Sequence, residues 1–271
     1  ARAVVNATGP WVDHFLRDCG LKAQEQGLPH VRLVKGSHII VPRQYDGDHA
    51  YILQQKDGRI VFVLPYESDF TLIGTTEENY NGDPMDAVIS DKETMYLLGA
   101  FNDSFQANVA DKDILHSFSG VRPLFDDGRE DAKAVTRDYR FHVHESAAPM
   151  ISVYGGKLTT YRKLSEGCVN KILFLLGEEG EDWTEGAKLP GAQERFANAE
   201  EMFMIFTKKY PFLPADLLHR YIRNYGDRAQ HFLDGAASLS DLRTHYGDGF
   251  YEAELDYMIR TEWARGVDDV L

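Results

Sequence analysis

The stretch MISVYGGKLTTYRKLSE, residues 150–166, places an apolar run directly before Gly155-Gly156 and an amphipathic pattern directly after it. Such a sequence predicts a strand that turns through paired glycines into a helix, because glycine alone enters the left-handed backbone region at little steric cost. Leu158, Tyr161, Leu164, Ser165, Cys168, Ile172 and Leu175 recur at helical spacing, and Gly177 supplies a stop. The chain opens on a second unit of this kind. In AVVNATGPWVDHFLRDCG a valine-rich run meets Thr8-Gly9-Pro10, with Thr8 or Gly9 as cap, Pro10 at the first helical position and Gly20 at the end.

Residues 28–80 carry a different signal, short β-rich runs: VRLVKGSHIIVP, YILQQKDGRIVFVLPY and FTLIGTTEENY. Asp57-Gly58 separates two of them as a hairpin turn would, so antiparallel sheet is expected. Residues 90–109 read as helix through Met95, Leu97, Leu98 and Phe101, and strands are expected in SFSGVRPLF, AVTRDYRFHVHE and PMISVYG. From 177 to 193, GEEGEDWTEGAKLPGAQ is acidic and bears glycine and proline, the composition of a linker. Helices are expected beyond it at 194–209, Ala215–Tyr225 and from about Glu252 to Trp263.

A formal net charge of −14 over 271 residues disfavours nucleic acid as a partner, since phosphate backbones are held by surplus Lys and Arg. Cys19 and Cys168 offer no disulfide framework and no metal spacing, which points to a reducing compartment. No run of about 18 apolar residues and no leader is visible. The chain starts at ARAVVN, inside an apparent strand and without methionine, and reads as a fragment.

A triphosphate-binding loop is excluded at Gly155-Gly156, because Ile151 and Leu158 stand where glycine and Ser/Thr are required, and G-x-G-x-x-G occurs nowhere. Two readings of the glycine pair stay open: a tight strand-to-helix turn, or a helix start that receives an anionic or electron-rich group. Arg122 in SGVRPL and Arg137 in VTRDYRF are either surface arginines or a pair that recognises phosphate or carboxylate in bidentate fashion. His38 in KGSHIIV is either structural or a neutral imidazole able to take a hydroxyl proton. His142 and His144 share a strand face without further ligands and read as exposed strand residues; no metal site is expected.

Taken in order, NATGPWVD, VKGSHIIVP, IGTTEENYNGDP, SGVRPL and GGKLTTYR resemble the FAD-dependent, quinone-linked glycerol-3-phosphate dehydrogenases. The resemblance spans roughly residues 1–190, and the helical remainder is similar to that family's C-terminal domain. It implies an α+β fold: a partial FAD-binding α/β domain (1–27 and 146–178) and an antiparallel substrate-binding domain of the amino-acid-oxidase type (28–145). A linker (179–193) and an all-α C-terminal domain (194–271) follow. It implies oxidation of sn-glycerol 3-phosphate to dihydroxyacetone phosphate, with hydride passing to FAD and electrons to a quinone. Arg122 and Arg137 resemble the substrate-binding arginines and His38 the active-site histidine. Ala7, Thr8 and Gly9 resemble a turn near the cofactor, and Gly155, Gly156, Lys157, Leu158, Thr159 and Thr160 the loop that faces the flavin ring. Glu77 stands where the family commonly shows Asp, so no fixed role attaches to it. The missing glycine fingerprint leads to the expectation that this chain alone binds FAD weakly or not at all and is inactive. Peripheral contact with the inner face of the cytoplasmic membrane follows from the same resemblance. The rivals are a flavin-dependent amino-acid or hydroxyacid oxidase, and a role for residues 194–271 in docking a partner or a second subunit.

Overall fold

The computed structural model describes residues 1–21, 30–67, 69–126, 138–145, 148–193 and 196–270. They form two compact units, Ala1–Asp182 and Trp183–Leu271, whose division falls within the acidic glycine- and proline-bearing stretch.

In the first unit, β1 (Val4–Asn6) leads through a 3-10 turn at Gly9–Trp11 into α1 (Val12–Asp18). A long strand β2 (Val31–Pro42) follows, then β3 (Tyr51–Gln54), β4 (Ile60–Tyr66), β5 (Phe70–Gly74) and the short β6 (Glu78–Asn79). After α2 (Asp91–Asn102) come β7 (His116–Phe125), β8 (Arg140–His144), β9 (Met150–Tyr154) and α3 (Tyr161–Leu176).

Six strands make an antiparallel sheet in which β2 is the spine. It pairs with β5 and β6 along one edge and with β7 over Val31–Ile40 along the other, and β3 and β4 extend the β5 side. The β3–β4 hairpin turns at Asp57-Gly58, where Gly58 has φ +80°. One face of this sheet is closed by α2: Ile39, Val41, Val61, Val63 and Ile73 bury against Leu97, Ala100 and Phe101. Ser90 caps α2 reciprocally with Glu93. The helix stops at Asn102, short of the expected 109, because the Asn102 side chain bonds both the N–H and the C=O of Val109 at 2.9 Å and turns the chain. Met95 faces solvent, not the core.

The second sheet has the order β1-β9-β8, with β1 parallel to β9. Residues 140–144, grouped by sequence with the substrate-binding segment 28–145, pair instead with β9, because Phe141 and Val143 pack with Ile151 and Val153 beneath α3. Leu164, Cys168, Ile172 and Leu175 occupy the buried stripe of α3 as expected, and Gly177 ends it with φ +67°. Leu158 departs from the expectation: it lies in a 3-10 turn (Leu158–Thr160) ahead of α3 and is 88% exposed.

The second unit is built from α4 (Ala199–Lys209), α5 (Ala215–Tyr225), α6 (Gln230–Leu233) and α7 (Glu252–Thr261) around Phe206, Leu218, Tyr221, Leu233 and Tyr257. Between α6 and α7 it also carries a short hairpin, β10 (His245–Gly247) and β11 (Phe250–Tyr251), which the sequence pattern did not indicate. α4 begins at 199 because Asn198 caps it, its side chain accepting from the N–H of Glu201.

Candidate functional site

Side chains alternate along β2. Lys35, Ser37, Ile39 and Val41 turn towards α2, and Gly36 and His38 towards the opposite face. On that face the register sets one row across five strands: Ile52, Phe62, Gly74, His38 and Phe118. The His38 ring stacks on Phe118, with centroids 4.9 Å apart and planes 8° from parallel. On its other side a Cβ at Gly74 would stand 2.1 Å from the imidazole Cδ2, so the ring occupies space that any other residue at 74 would fill.

Arg122 pairs in register with Val34, yet its side chain runs along β2. A Cβ at Gly36 would meet Arg122 Nη1 at 2.7 Å and Nη2 at 2.9 Å, and Thr75 Oγ1 at 2.6 Å. The guanidinium therefore covers Gly36, one same-face position and about 7 Å along the strand from His38. Its Nη2 donates to Thr75 Oγ1 at 3.3 Å. The pKa of His38 is pushed down, first by burial and then by the charge of Arg122, which holds the ring neutral at neutral pH. His38 Nδ1 is buried with no hydrogen-bond partner among the described residues. Arg137 lies outside the described residues.

Beneath this face, the Glu93 carboxylate accepts from Lys35 Nζ (2.8 Å), Ser37 Oγ (2.8 Å), Thr76 Oγ1 (2.7 Å) and the Ser90 N–H (2.9 Å). Burial alone would raise its pKa, but these donors overcome that and bring it to about 2. Through Ser37 and Thr76 the network ties together the segments that carry Gly36, His38 and Thr75.

A second cluster lies where β1 and β9 end. These strands are parallel neighbours, so the turns that leave them, Ala7–Gly9 and Gly155–Lys157, emerge at the same edge of the sheet. Their helices then diverge: α1 packs against Met150 and Tyr154, α3 against Ile151 and Val153, on opposite faces of β9. A crevice between parallel strands whose connections part to opposite faces is where open α/β sheets bind ligands. Gly155 (φ +73°) and Gly156 (φ +108°) have conformations closed to other residues, and a Cβ at 155 would stand 2.8 Å from Asp138 O. Ala7, Thr8, Lys157, Leu158 and Thr159 are exposed there. Thr160 acts as a cap: its Oγ1 accepts from the Lys157 N–H at 3.1 Å and donates to Lys157 O at 3.0 Å. Both turns abut β7, the strand of Arg122: the Gly9–Trp11 turn packs on it, and Gly155 stands beside Phe125 N.

A family model described as FAD dependent oxidoreductase matches residues 1–162. The chain belongs to the FAD dependent oxidoreductase family. A second model, the C-terminal domain of alpha-glycerophosphate oxidase, matches residues 183–271. The chain is 45% identical over 273 residues to the glycerol-3-phosphate dehydrogenase of Pseudomonas aeruginosa, covering 100% of this chain and 52% of that protein. It is 43% identical to the aerobic glycerol-3-phosphate dehydrogenase of Escherichia coli and to the D-erythritol 1-phosphate dehydrogenase of Brucella abortus, in each case over 100% of this chain and 54% of the relative. The structure of glycerol-3-phosphate dehydrogenase from Bacillus halodurans complexed with FAD superposes with a TM-score of 0.67 at 28% identity, over 86% of this chain and 45% of that one. The chain spans about half the length of the curated relatives it matches. The glycerol-3-phosphate dehydrogenases among them are the proteins that the five sequence motifs resemble.

For a member of the FAD dependent oxidoreductase family, the residues at the ends of β1 and β9 are compatible with a flat electron-rich ring system beside them. Two glycines let backbone approach without side chains, and Leu158 and Thr159 leave their side chains in the open. Sequence reasoning missed Gly36, Gly74, Thr75, Phe118 and Glu93. The signal for Gly36 was present in KGSH, since a glycine two residues from His38 shares its strand face, whereas Gly74 and Thr75 meet His38 and Arg122 only through the register of β2 with β5. His142 and His144, read as exposed, are half-buried with ring centroids 4.6 Å apart, and His144 Nε2 meets Ser152 Oγ at 3.0 Å. Burial, then His142, lowers the pKa of His144. No cluster of three metal-ligating side chains occurs among the described residues.

Proposed function

We propose that this chain carries the substrate-facing part of a flavin-dependent dehydrogenase that oxidises the secondary hydroxyl of glycerol 3-phosphate to the ketone. The observation that carries the reading is the Arg122 guanidinium lying over Gly36, one same-face position from a neutral His38. A phosphate held by Arg122 and the Thr75 hydroxyl would place a hydroxyl two carbons away beside His38, whose Nε2 takes its proton. Ile52, Phe62 and Phe118, exposed in the same row of the sheet face, would give a bound substrate an apolar neighbourhood there.

Ala7–Gly9 and Gly155–Thr160 would hold the flavin end of FAD, which when bound supplies the hydride acceptor. On the family resemblance Lys157 would put positive charge at that edge, and Arg137 would give a second grip on the substrate. Electrons then go to a quinone, with the protein at the cytoplasmic face of a membrane, on the same family likeness. No described helix is long and apolar enough to cross a membrane.

The test is dye-linked turnover, in a protein containing this sequence, of glycerol 3-phosphate, D-erythritol 1-phosphate and a panel of amino acids. Turnover of glycerol 3-phosphate with the highest kcat/KM is expected. Preference for an amino acid would overturn the reading, and preference for the four-carbon phosphate would change its substrate. Reduction of a soluble quinone in place of the dye tests the electron acceptor.

A further inference from the structure

An imidazole that must present one nitrogen to a substrate is usually held by a hydrogen bond from the other, which fixes ring angle and tautomer together. His38 has no such bond among the described residues: Nδ1 is buried and unpartnered. What surrounds the ring is a sandwich. β7 supplies Phe118, parallel to it at 4.9 Å, and β5 supplies Gly74, whose missing Cβ leaves the ring its place. Because β5 and β7 flank β2 on opposite sides, the two restraints act on opposite sides of the imidazole. Phe118 is 44% exposed, so core packing does not account for an aromatic residue there.

We propose that Phe118 is a positioning residue for His38, fixing the imidazole by stacking where proteins ordinarily use a hydrogen bond to Nδ1. The proposal rests on the reading of His38 as the proton acceptor. The stacked ring adds to the burial of the imidazole, and protonation at the buried Nδ1 would find no acceptor, so the ring stays neutral as well as fixed. The charged and titratable groups near it are Arg122 and His116 on its own face of β7. On the far face, beneath Ser37, is the Lys35–Glu93 pair. The neighbours across β5 are the apolar Phe62 and Ile52.

The experiment is a pH titration of the histidine ring signals of the 271-residue chain by NMR, with His38→Gln to assign the resonance, in Phe118→Leu and Phe118→Tyr. In Phe118→Leu the His38 midpoint is expected to rise towards 6.5, while Phe118→Tyr, which keeps the ring, retains the midpoint of the unsubstituted chain. In a protein that turns over substrate, Phe118→Leu should lower kcat about tenfold or more with KM within about twofold. If Phe118→Leu loses its fold by circular dichroism, Phe118→Met replaces it, keeping volume without a flat face. An unchanged midpoint in a folded variant, or an unchanged kcat, overturns the proposal. The titration needs no substrate, so absence of polyol phosphate turnover would sink the functional reading while leaving the stacking result standing.

Discussion

Arg122 Nη2 donates a hydrogen bond to Thr75 Oγ1 at 3.3 Å, and the two groups meet over the bare backbone of Gly36. An arginine from one strand and a threonine following another thus share a floor that has no side chain of its own.

Gly36→Ala would push a methyl group to 2.6 Å from Thr75 Oγ1 and 2.7 Å from Arg122 Nη1. The guanidinium must move, and loss of one charge-assisted contact is worth about 1.5–3 kcal/mol, roughly 10- to 100-fold in affinity. Steady-state kinetics should show KM for the phosphate substrate raised by that factor, with the melting temperature little changed. A variant with an unaltered KM would remove Arg122 from phosphate binding.

The acid limb of activity should sit below pH 6.5, because burial and Arg122 both lower the pKa of His38 and a base works only when unprotonated. Removing the positive charge in Arg122→Gln takes away the second cause, so the limb should move towards higher pH. A profile of kcat/KM against pH in both proteins checks the direction.

Glu93 gives the first unit a specific acid sensitivity. Its pKa is about 2 in the folded chain against an ordinary 4.5, so its stabilisation is fully present above the unfolded value and is lost as pH falls from about 4.5 towards 2. Glu93→Ala leaves Lys35, Ser37 and Thr76 without their shared acceptor and should cost about 3–5 kcal/mol at pH 7. Urea unfolding at pH 7 and pH 3 should show the variant and the unsubstituted chain converging at the lower pH.

The second unit has its own weak point. Glu254, 1% exposed, takes both Arg220 nitrogens at 2.7 and 2.6 Å and the Tyr225 hydroxyl at 2.7 Å. Glu254→Ala should destabilise residues 183–271 by about 3–5 kcal/mol and split the calorimetric transition, the second unit melting first. One unsplit transition at the original temperature would contradict this.

Much of this was legible in one dimension because it rests on local rules. Gly155-Gly156 and Gly177 announced their backbone, Asp57-Gly58 its hairpin, and α5 its limits through the spacing of Leu217, Leu218, Tyr221, Ile222 and Tyr225. Arg122 and His38 were singled out by their motifs. Their proximity was not, because they are 84 residues apart and meet only through the antiparallel register of β2 and β7. Glu93 was hidden for a related reason. As the third residue after Ser90 it reads as half of a capping box, and only the sheet placed beneath α2 turns the same carboxylate into an acceptor for two strands. Leu158 was misplaced since a 3-10 turn has a shorter period than the helix it precedes.

The spine strand reads alternately as structure and as chemistry: Lys35 and Ser37 serve the buried carboxylate, Gly36 and His38 the open face. A single inserted or deleted residue at its start would exchange the two sets, driving an imidazole towards the Glu93 carboxylate in place of Lys35 and presenting a lysine on the open face. Chimeras that swap segments between this chain and its relatives should therefore tolerate junctions that shift this strand by two residues far better than by one, and parity, more than length, sets where such proteins can be cut and rejoined.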